Sequence, residues 1–347
     1  MADQIQKQYN IQTDHSEYDI FLPNLYAFKH NQQADTSLPL AGKTVETLSK
    51  KALKKLFAQE RVKKHFQIHK VTTRTEADQK LKALNLMSNG LVLKGTFLCL
   101  ASVEQIRSVS SNAHTSKFFT FDDTEGLRTG ITEFVQGNLV EQFEQMIAHI
   151  KQNLYLVRDI DSRTEDYQVP EKVFTELLAN AFVHRTYANE ALYQTKVELY
   201  PDRLEIYNAG KFADEIALDK IGEIDNSVVI NPEIVQLFFL HSLVETAAKG
   251  IRRSQEILRS RQMKPAVFEQ KNGYVRVTIW KNKRANSANA AHALSLIDEG
   301  RIADFFDWAE QQRPDPTVAL LKSEFILGKT GFDFNERLKL LAKTFLS

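Results

Sequence analysis

Cysteine is nearly absent: Cys99 is the only one in 347 residues. That excludes an internal disulfide framework and any zinc site built from several thiolates. Glycine and proline are also sparse, at 13 and 8, which argues against long unstructured linkers. No apolar run approaches the roughly 18 residues of a transmembrane helix. Residues Met1–Asn10 are polar and carry Asp3, unlike a signal peptide, so no membrane partner and a cytoplasmic location are expected. Excess charge is missing too. Lys+Arg 45 against Asp+Glu 44 gives a net charge of +1, which excludes a globally basic nucleic-acid binder but not a local basic face. What is plentiful is phenylalanine, 22 residues, enough to furnish more than one core. The length suits two or three domains at about 100–200 residues each.

Residues 1–17 read as a loose tail, and Tyr18–Phe28 (YDIFLPNLYAF) as an aromatic piece that packs. The spacing of Leu48, Leu53, Leu56 and Phe57 predicts one helix over Thr44–His65, and a second is expected over Thr72–Leu84. Leu86–Ala101 reads as a turn at Asn89-Gly90 and then a buried strand, and Ser116–Phe121 as another strand. Asn138–Asn153 is an amphipathic helix. Pro170 opens a helix that runs to Tyr187. Lys196–Tyr200 and Arg203–Tyr207 alternate like a hairpin, as do Ala266–Glu269 and Tyr274–Trp280 across Asn272-Gly273. Helices are expected over Pro232–Val244 and Gly250–Arg261. After an alanine-rich link only helical patterns remain, Leu294–Phe306, Thr317–Phe325 and Phe334–Phe345. The expected division is a tail at 1–17, an N-terminal α/β region at 18–157, a second α/β unit at 158–283 and a helical module at 292–347.

Chemistry concentrates in Thr175–Arg185. On a helix, Glu176, Asn180 and His184 are four apart and share one face, while Leu177, Leu178, Ala181 and Phe182 face inward. Such a stack suits a magnesium nucleotide. An asparagine oxygen is a neutral ligand for Mg²⁺, which takes few protein ligands. A glutamate can take a proton from a water that attacks the terminal phosphate. The plainer alternative is a solvated helix face.

The context of that helix carries a resemblance. Glu176–Tyr187 (ELLANAFVHRTY), Asp202–Gly210 (DRLEIYNAG), Asn231–Phe238 (NPEIVQLF) and Glu245–Arg252 (ETAAKGIR) follow in order over about 110 residues. Together they resemble the Bergerat-fold (GHKL) ATP-binding domain, in the branch of RecG-like transcriptional regulators. Leu40–Leu56, Leu84–Ala101 and Gly137–Leu154 look like the segment those regulators place upstream, without their earlier DNA-binding-like module. The resemblance implies an α+β protein: a Bergerat-type α/β sandwich at 158–283, a mixed sheet covered by helices, between the N-terminal α/β region and a small helical bundle. It implies ATP and Mg²⁺ as cofactors. Asn180 would hold the metal, and Glu176 would be the catalytic residue that activates water. His184, Asn208, Gly210, Lys249 and Gly250 would complete the nucleotide site, Asn208 standing where the wider superfamily has an adenine-reading aspartate. Ala248 replaces the first glycine of the family's G-x-G, and Ala-Gly-Lys replaces its Pro-Gly-Gly.

The function so implied is Mg-ATP binding that switches conformation, with slow or no hydrolysis, in transcriptional regulation or in prokaryotic defence and signalling. The alternatives are an active ATPase, a scaffold that binds no nucleotide, and a nucleic-acid binder using Lys50, Lys51, Lys54, Lys55, Lys63 and Lys64 or Arg252, Arg253, Arg259 and Arg261. The helical module faintly resembles small adaptor modules, so a protein partner is expected there. Gly328-Lys329-Thr330 lacks the earlier glycine of a phosphate loop and reads as a helix end. His65 and His69 lie four apart without a third ligand and read as a solvated helix end.

Overall fold

A computed structural model describes residues 35–66, 71–154, 156–158, 165–187, 194–210, 229–244, 250–282, 292–312, 316–330 and 334–344. The aromatic segment at 18–28 and His69 lie outside the described residues, as does the side chain of His65.

The chain begins with helices α1 (Lys50–Phe57), α2 (Glu60–Phe66) and α3 (Arg74–Ala83). The single helix expected over 44–65 is therefore divided. Val45–Thr47 forms one 3-10 turn, and the Ser49 hydroxyl caps α1 by accepting from Ala52 N. At the far end Gln59 N turns back to Leu56 O (3.1 Å). Thr73 and Glu76 close α3 with a reciprocal capping box.

Met87–Ser88 (β1) and Leu91–Val92 (β2) form a tight hairpin, but Lys94–Leu100 is a helix, α4, rather than a strand. Gly95 to Leu100 are all buried. A segment buried on every side carries no amphipathic period, so its apolar run could not separate strand from helix. A short helix α5 (Val103–Arg107) follows.

The central sheet has six strands: β3 (Thr115–Phe121), β4 (Thr129–Gln136), β7 (Lys196–Leu199), β8 (Arg203–Ala209), β9 (Val267–Lys271) and β10 (Tyr274–Trp280). Their order is β4-β3-β7-β8-β10-β9, and only β3 and β7 run parallel, so the sheet is mixed. The small pair β5 (Leu156–Arg158) and β6 (Glu165–Tyr167) stands apart. Helices α6 (Leu139–Asn153), α7 (Glu171–Val183), α8 (Pro232–Leu240) and α9 (Gly250–Ser260) complete this part. The protein is thus α+β.

Period-2 alternation gives the sheet two unlike faces. Phe118, Val197, Leu204, Ile206, Val277 and Ile279 are buried in the core with α6, α7 and α8. The opposite face carries a charged ladder. Glu198 and Glu205 lie directly across from each other on β7 and β8, a pairing that repels unless cations answer it. Lys196 Nζ bonds Glu198 (2.5 Å), Arg203 Nε bonds Glu205 (2.6 Å), and the hydroxyls of Tyr200 and Tyr207 donate to the same two carboxylates. Burial and these carboxylates push both tyrosine hydroxyls well above their usual range.

The strands on either side of residue 158 share this one sheet and one continuous core, from Val45 to Ile279. A separate core unites residues 292–298 (α10) with α11 (Ile302–Gln312), α12 (Pro316–Ile326) and α13 (Phe334–Thr344). Phe305 and Phe306 are fully buried inside it, so these aromatics serve the bundle's own packing. Gly300, at φ +72°, separates α10 from α11 where one helix was expected. Gly328, at φ +66°, turns the chain after α12 while Lys329 N bonds Glu324 O (2.9 Å). Gly328-Lys329-Thr330 is therefore a helix end, as its missing glycine implied.

His241, just past α8, is only 7% exposed. Burial, helped by the Lys55 charge, pushes its pKa down from 6.5 to about 4. The unfolded chain therefore binds the proton more readily than the folded one, and stability falls as pH drops from 6.5 towards 4. The expected loss from this residue alone is about 2 kcal/mol by pH 5. Urea titrations at pH 7 and pH 5 test this: His241→Leu should shrink the difference between the two pH values by about that amount.

Candidate functional site

Helix α7 places the predicted stack. Pro170 precedes it, and Val173, Phe174, Leu177, Leu178, Ala181 and Phe182 bury its inner side. Glu176, Asn180 and His184 are each half-buried on the remaining side. At its end His184 N bonds Asn180 O (2.9 Å).

The segment after α7 is pinned from three directions. Thr186 N bonds Ala209 O on β8 (2.8 Å). The Asn231 side chain donates to Val183 O (2.8 Å) and to Arg185 O (2.7 Å). Lys94 Nζ donates to Tyr187 O (3.0 Å) and Asp35 Oδ2 (2.7 Å). Asn231 thus meets carbonyls at a helix end that has no further turn to supply donors. It belongs to the motif Asn231–Phe238, yet its part in holding this segment was not anticipated. An asparagine directly before a proline at the start of an apolar helix is the signal that could have marked it. Thr186 was also missed.

Gly210 sits at the same junction. Its φ is +137°, and a Cβ there would lie 2.9 Å from Thr186 Oγ1 and 3.5 Å from His184 O. Only glycine combines that backbone angle with so close an approach. The structure thereby brings Gly210 close to the His184 carbonyl. Asn208, 5% exposed, ends the buried stripe Leu204, Ile206, Asn208, and its amide donates to Ala209 O (3.3 Å). Asn208 is thus a polar residue on that apolar face, at the end of the sheet nearest the α7 turn.

The other close approach joins α7 to α9. A Cβ on Gly250 would lie 1.7 Å from Glu176 Oε1 and 2.4 Å from its Cδ. The carboxylate therefore rests directly on the glycine that opens α9, where backbone N–H groups face outward and favour negative charge. Burial raises the Glu176 pKa, and Arg253 in the first turn of α9 opposes the rise. His184 is held neutral by burial, its pKa pushed down to about 4. So the Glu176 carboxylate meets Gly250, and the His184 carbonyl just past α7 approaches Gly210, with Asn180 a turn from each residue. Lys249 and Ala248 lie outside the described residues.

The comparisons with known proteins bear on this part of the chain. Residues 193–279 match the family described as "Putative ATP-dependent DNA helicase recG C-terminal". The family matched is ATPase-like, and the match spans about a quarter of the chain. The stretch holds Asn208, Gly210 and Gly250, whereas α7 precedes it. Over 93% of its length the chain also resembles the crystal structure of the DIP2311 protein from Corynebacterium diphtheriae, with a TM-score of 0.59 and 15% identity. It covers 61% of that longer chain, and at this identity the likeness is one of fold. No curated protein sequence matches. Among the described residues no helix is long and apolar enough to cross a membrane.

Proposed function

We propose that the protein binds Mg-ATP on the face of α7 that carries Glu176, Asn180 and His184, and uses the bound nucleotide as a conformational switch with slow or no hydrolysis. The observation that carries this reading is the approach of Gly250 to Glu176, which leaves no room for a side chain between α7 and the start of α9. Gly250 lies within the stretch that matches an ATPase-like family, and Glu176 on α7 lies before it.

The donor set fits the cofactor. Asn180 is half-buried and offers a neutral oxygen, a sparse donor set of the kind Mg²⁺ accepts when phosphates and waters supply the rest. When bound, the ion would neutralise phosphate charge. Asn208 would read the base from the sheet end, and Gly210 would let the backbone approach it. Gly250 and Lys249 would face the phosphates at the N-terminus of α9. Glu176, its basicity raised by burial, would accept the proton of an attacking water if turnover occurs. Ala248, in place of a family glycine, supports the reading of slow or absent turnover. Regulation of transcription or of a defence response, through a protein bound at α10–α13 or through nucleic acid at the lysines of α1, is the output we assign.

Calorimetric titration of Mg-ATP into the wild-type protein and Asn180→Ala tests the site. Binding by the wild type and at least a tenfold loss in the variant are expected. Absence of binding by the wild type overturns the reading. Turnover that disappears in Glu176→Ala while binding survives would replace the switch with an ATPase.

A further inference from the structure

We propose that the outer face of α12 joins two copies of this chain into a dimer, the helix of one copy lying antiparallel to the same helix of the other across a two-fold axis at Ser323. Helix α12 is apolar on two sides. Val318, Leu321 and Phe325 turn into the core of the bundle. On the opposite side Leu320, Ile326 and Leu327 are 58%, 72% and 63% exposed, and Ala319 and Ser323 are exposed among them. Leu327 continues the same turn, since its N–H bonds Ser323 O (3.1 Å). At about 100° per residue these five side chains fill one arc about 120° wide, centred on Ser323. None of the residues assigned to the nucleotide takes part, so the two readings stand or fall separately.

The face of a helix that meets water normally carries its charges. Here the charges turn to neighbouring helices instead. Lys322 Nζ reaches Asp307 (3.0 Å) and Glu310 (2.7 Å) on α11, and Glu324 pairs with Arg337 on α13. The arc between them is left without a charge of either sign. A highly charged partner gains nothing on such a stripe, whereas an equally apolar helix covers it and removes its side chains from water.

Symmetry selects the occupant. In a two-fold contact between antiparallel helices, residues equally far before and after the axis oppose each other. With the axis at Ser323, Leu320 meets Ile326 of the other copy, and Ala319 meets Leu327, small against large. Ser323 meets itself, and so short a side chain lets the helices approach where they cross. Lys322 and Glu324 flank the arc one position to either side, so each lysine comes beside the other copy's glutamate. Apolar thus meets apolar, small meets large and cation meets anion. A second copy carries this pattern in reverse by necessity, and that is what the stripe requires of its partner.

One helix from each copy makes a contact below the roughly 1,200 Å² of a lasting complex, so a dissociation constant of about 10–100 µM is expected. Sedimentation velocity of the full chain from about 1 to 300 µM tests it: the weight-average coefficient should climb from the monomer towards the dimer value. Leu320→Glu and Ser323→Arg, both at exposed positions, should each weaken dimerisation at least tenfold and leave the urea midpoint unchanged. Because Leu320 opposes Ile326, adding Ile326→Lys to Leu320→Glu should restore association. Ser323→Cys should form a covalent dimer on mild oxidation, and Thr317→Cys, off the arc, should not; Cys99 is buried and takes no part. A chain that stays monomeric at the highest concentration overturns the proposal and leaves the stripe to the helix of a different protein. It is overturned equally if the dimer persists in Leu320→Glu and Ser323→Arg, if Ile326→Lys restores nothing, or if Thr317→Cys crosslinks as readily as Ser323→Cys.

Discussion

Gly95→Leu is expected to leave the chain unable to reach a stable native state, and Gly95→Ala to lower the urea midpoint clearly. Gly95 lies in α4, buried where that helix meets α8. A Cβ built on it would stand 2.8 Å from Glu233 Cβ, 3.2 Å from Thr36 Cβ and 3.3 Å from Ile234 Cγ1. Cβ atoms are bound to the backbone and cannot swing away, so the two helices would have to part. All nine residues of α8 are buried, which leaves no solvent-facing direction in which to yield. Overpacking a tight core site costs about 1–3 kcal/mol. Alanine recovers up to about 1 kcal/mol of that through helix propensity. A net loss of about 1–2 kcal/mol is therefore expected for alanine, and a much larger one for leucine. A Gly95→Ala protein as stable as the wild type would show that the crossing is looser than these distances state.

Asn231→Ala should combine a large loss of stability with a loss of nucleotide binding. One buried amide serves Val183 O and Arg185 O, and alanine leaves both carbonyls without that donor. Each unmet buried acceptor costs about 1–3 kcal/mol, so a total of about 2–4 kcal/mol is expected. The segment released carries His184 and the Thr186 amide that ties it to β8. Asn231→Asp separates hydrogen bonding from packing. It keeps the volume but aims a carboxylate at two carbonyls, so it should be no better than alanine. Denaturation midpoints together with Mg-ATP titration of each variant check both parts. Full stability in Asn231→Asp would show that the amide is not the donor that matters.

Local pattern made much of the fold legible. Alternation of Val197, Leu199, Leu204 and Ile206 around Pro201-Asp202 marked the β7–β8 hairpin, and Asn272-Gly273 marked the turn between β9 and β10. Helix α6 was readable because Asn138 and Glu141 cap it and its apolar residues keep a helical period. Strand β4 was not readable. Gly130 interrupts it, seven of its eight residues are exposed, and its register with β3 slips between Phe119 and Phe121. A strand with so little buried has no apolar face to announce it.

The candidate site divides in the same way. Glu176, Asn180 and His184 could be placed on one face of one helix because their spacing is a local property. That Glu176 would rest on Gly250, 74 positions later in the numbering, could not be read, nor could the hold of Asn231 on the end of α7. The unpartnered ring of His241 is less legible still, since in the sequence it is one histidine after an apolar run. The sequence by itself determined the periods, caps and turns, because these depend on residues within a few positions of one another. Only the tertiary structure decided which of those elements close on one another and which polar atoms are left unmet, because that depends on how the whole core packs.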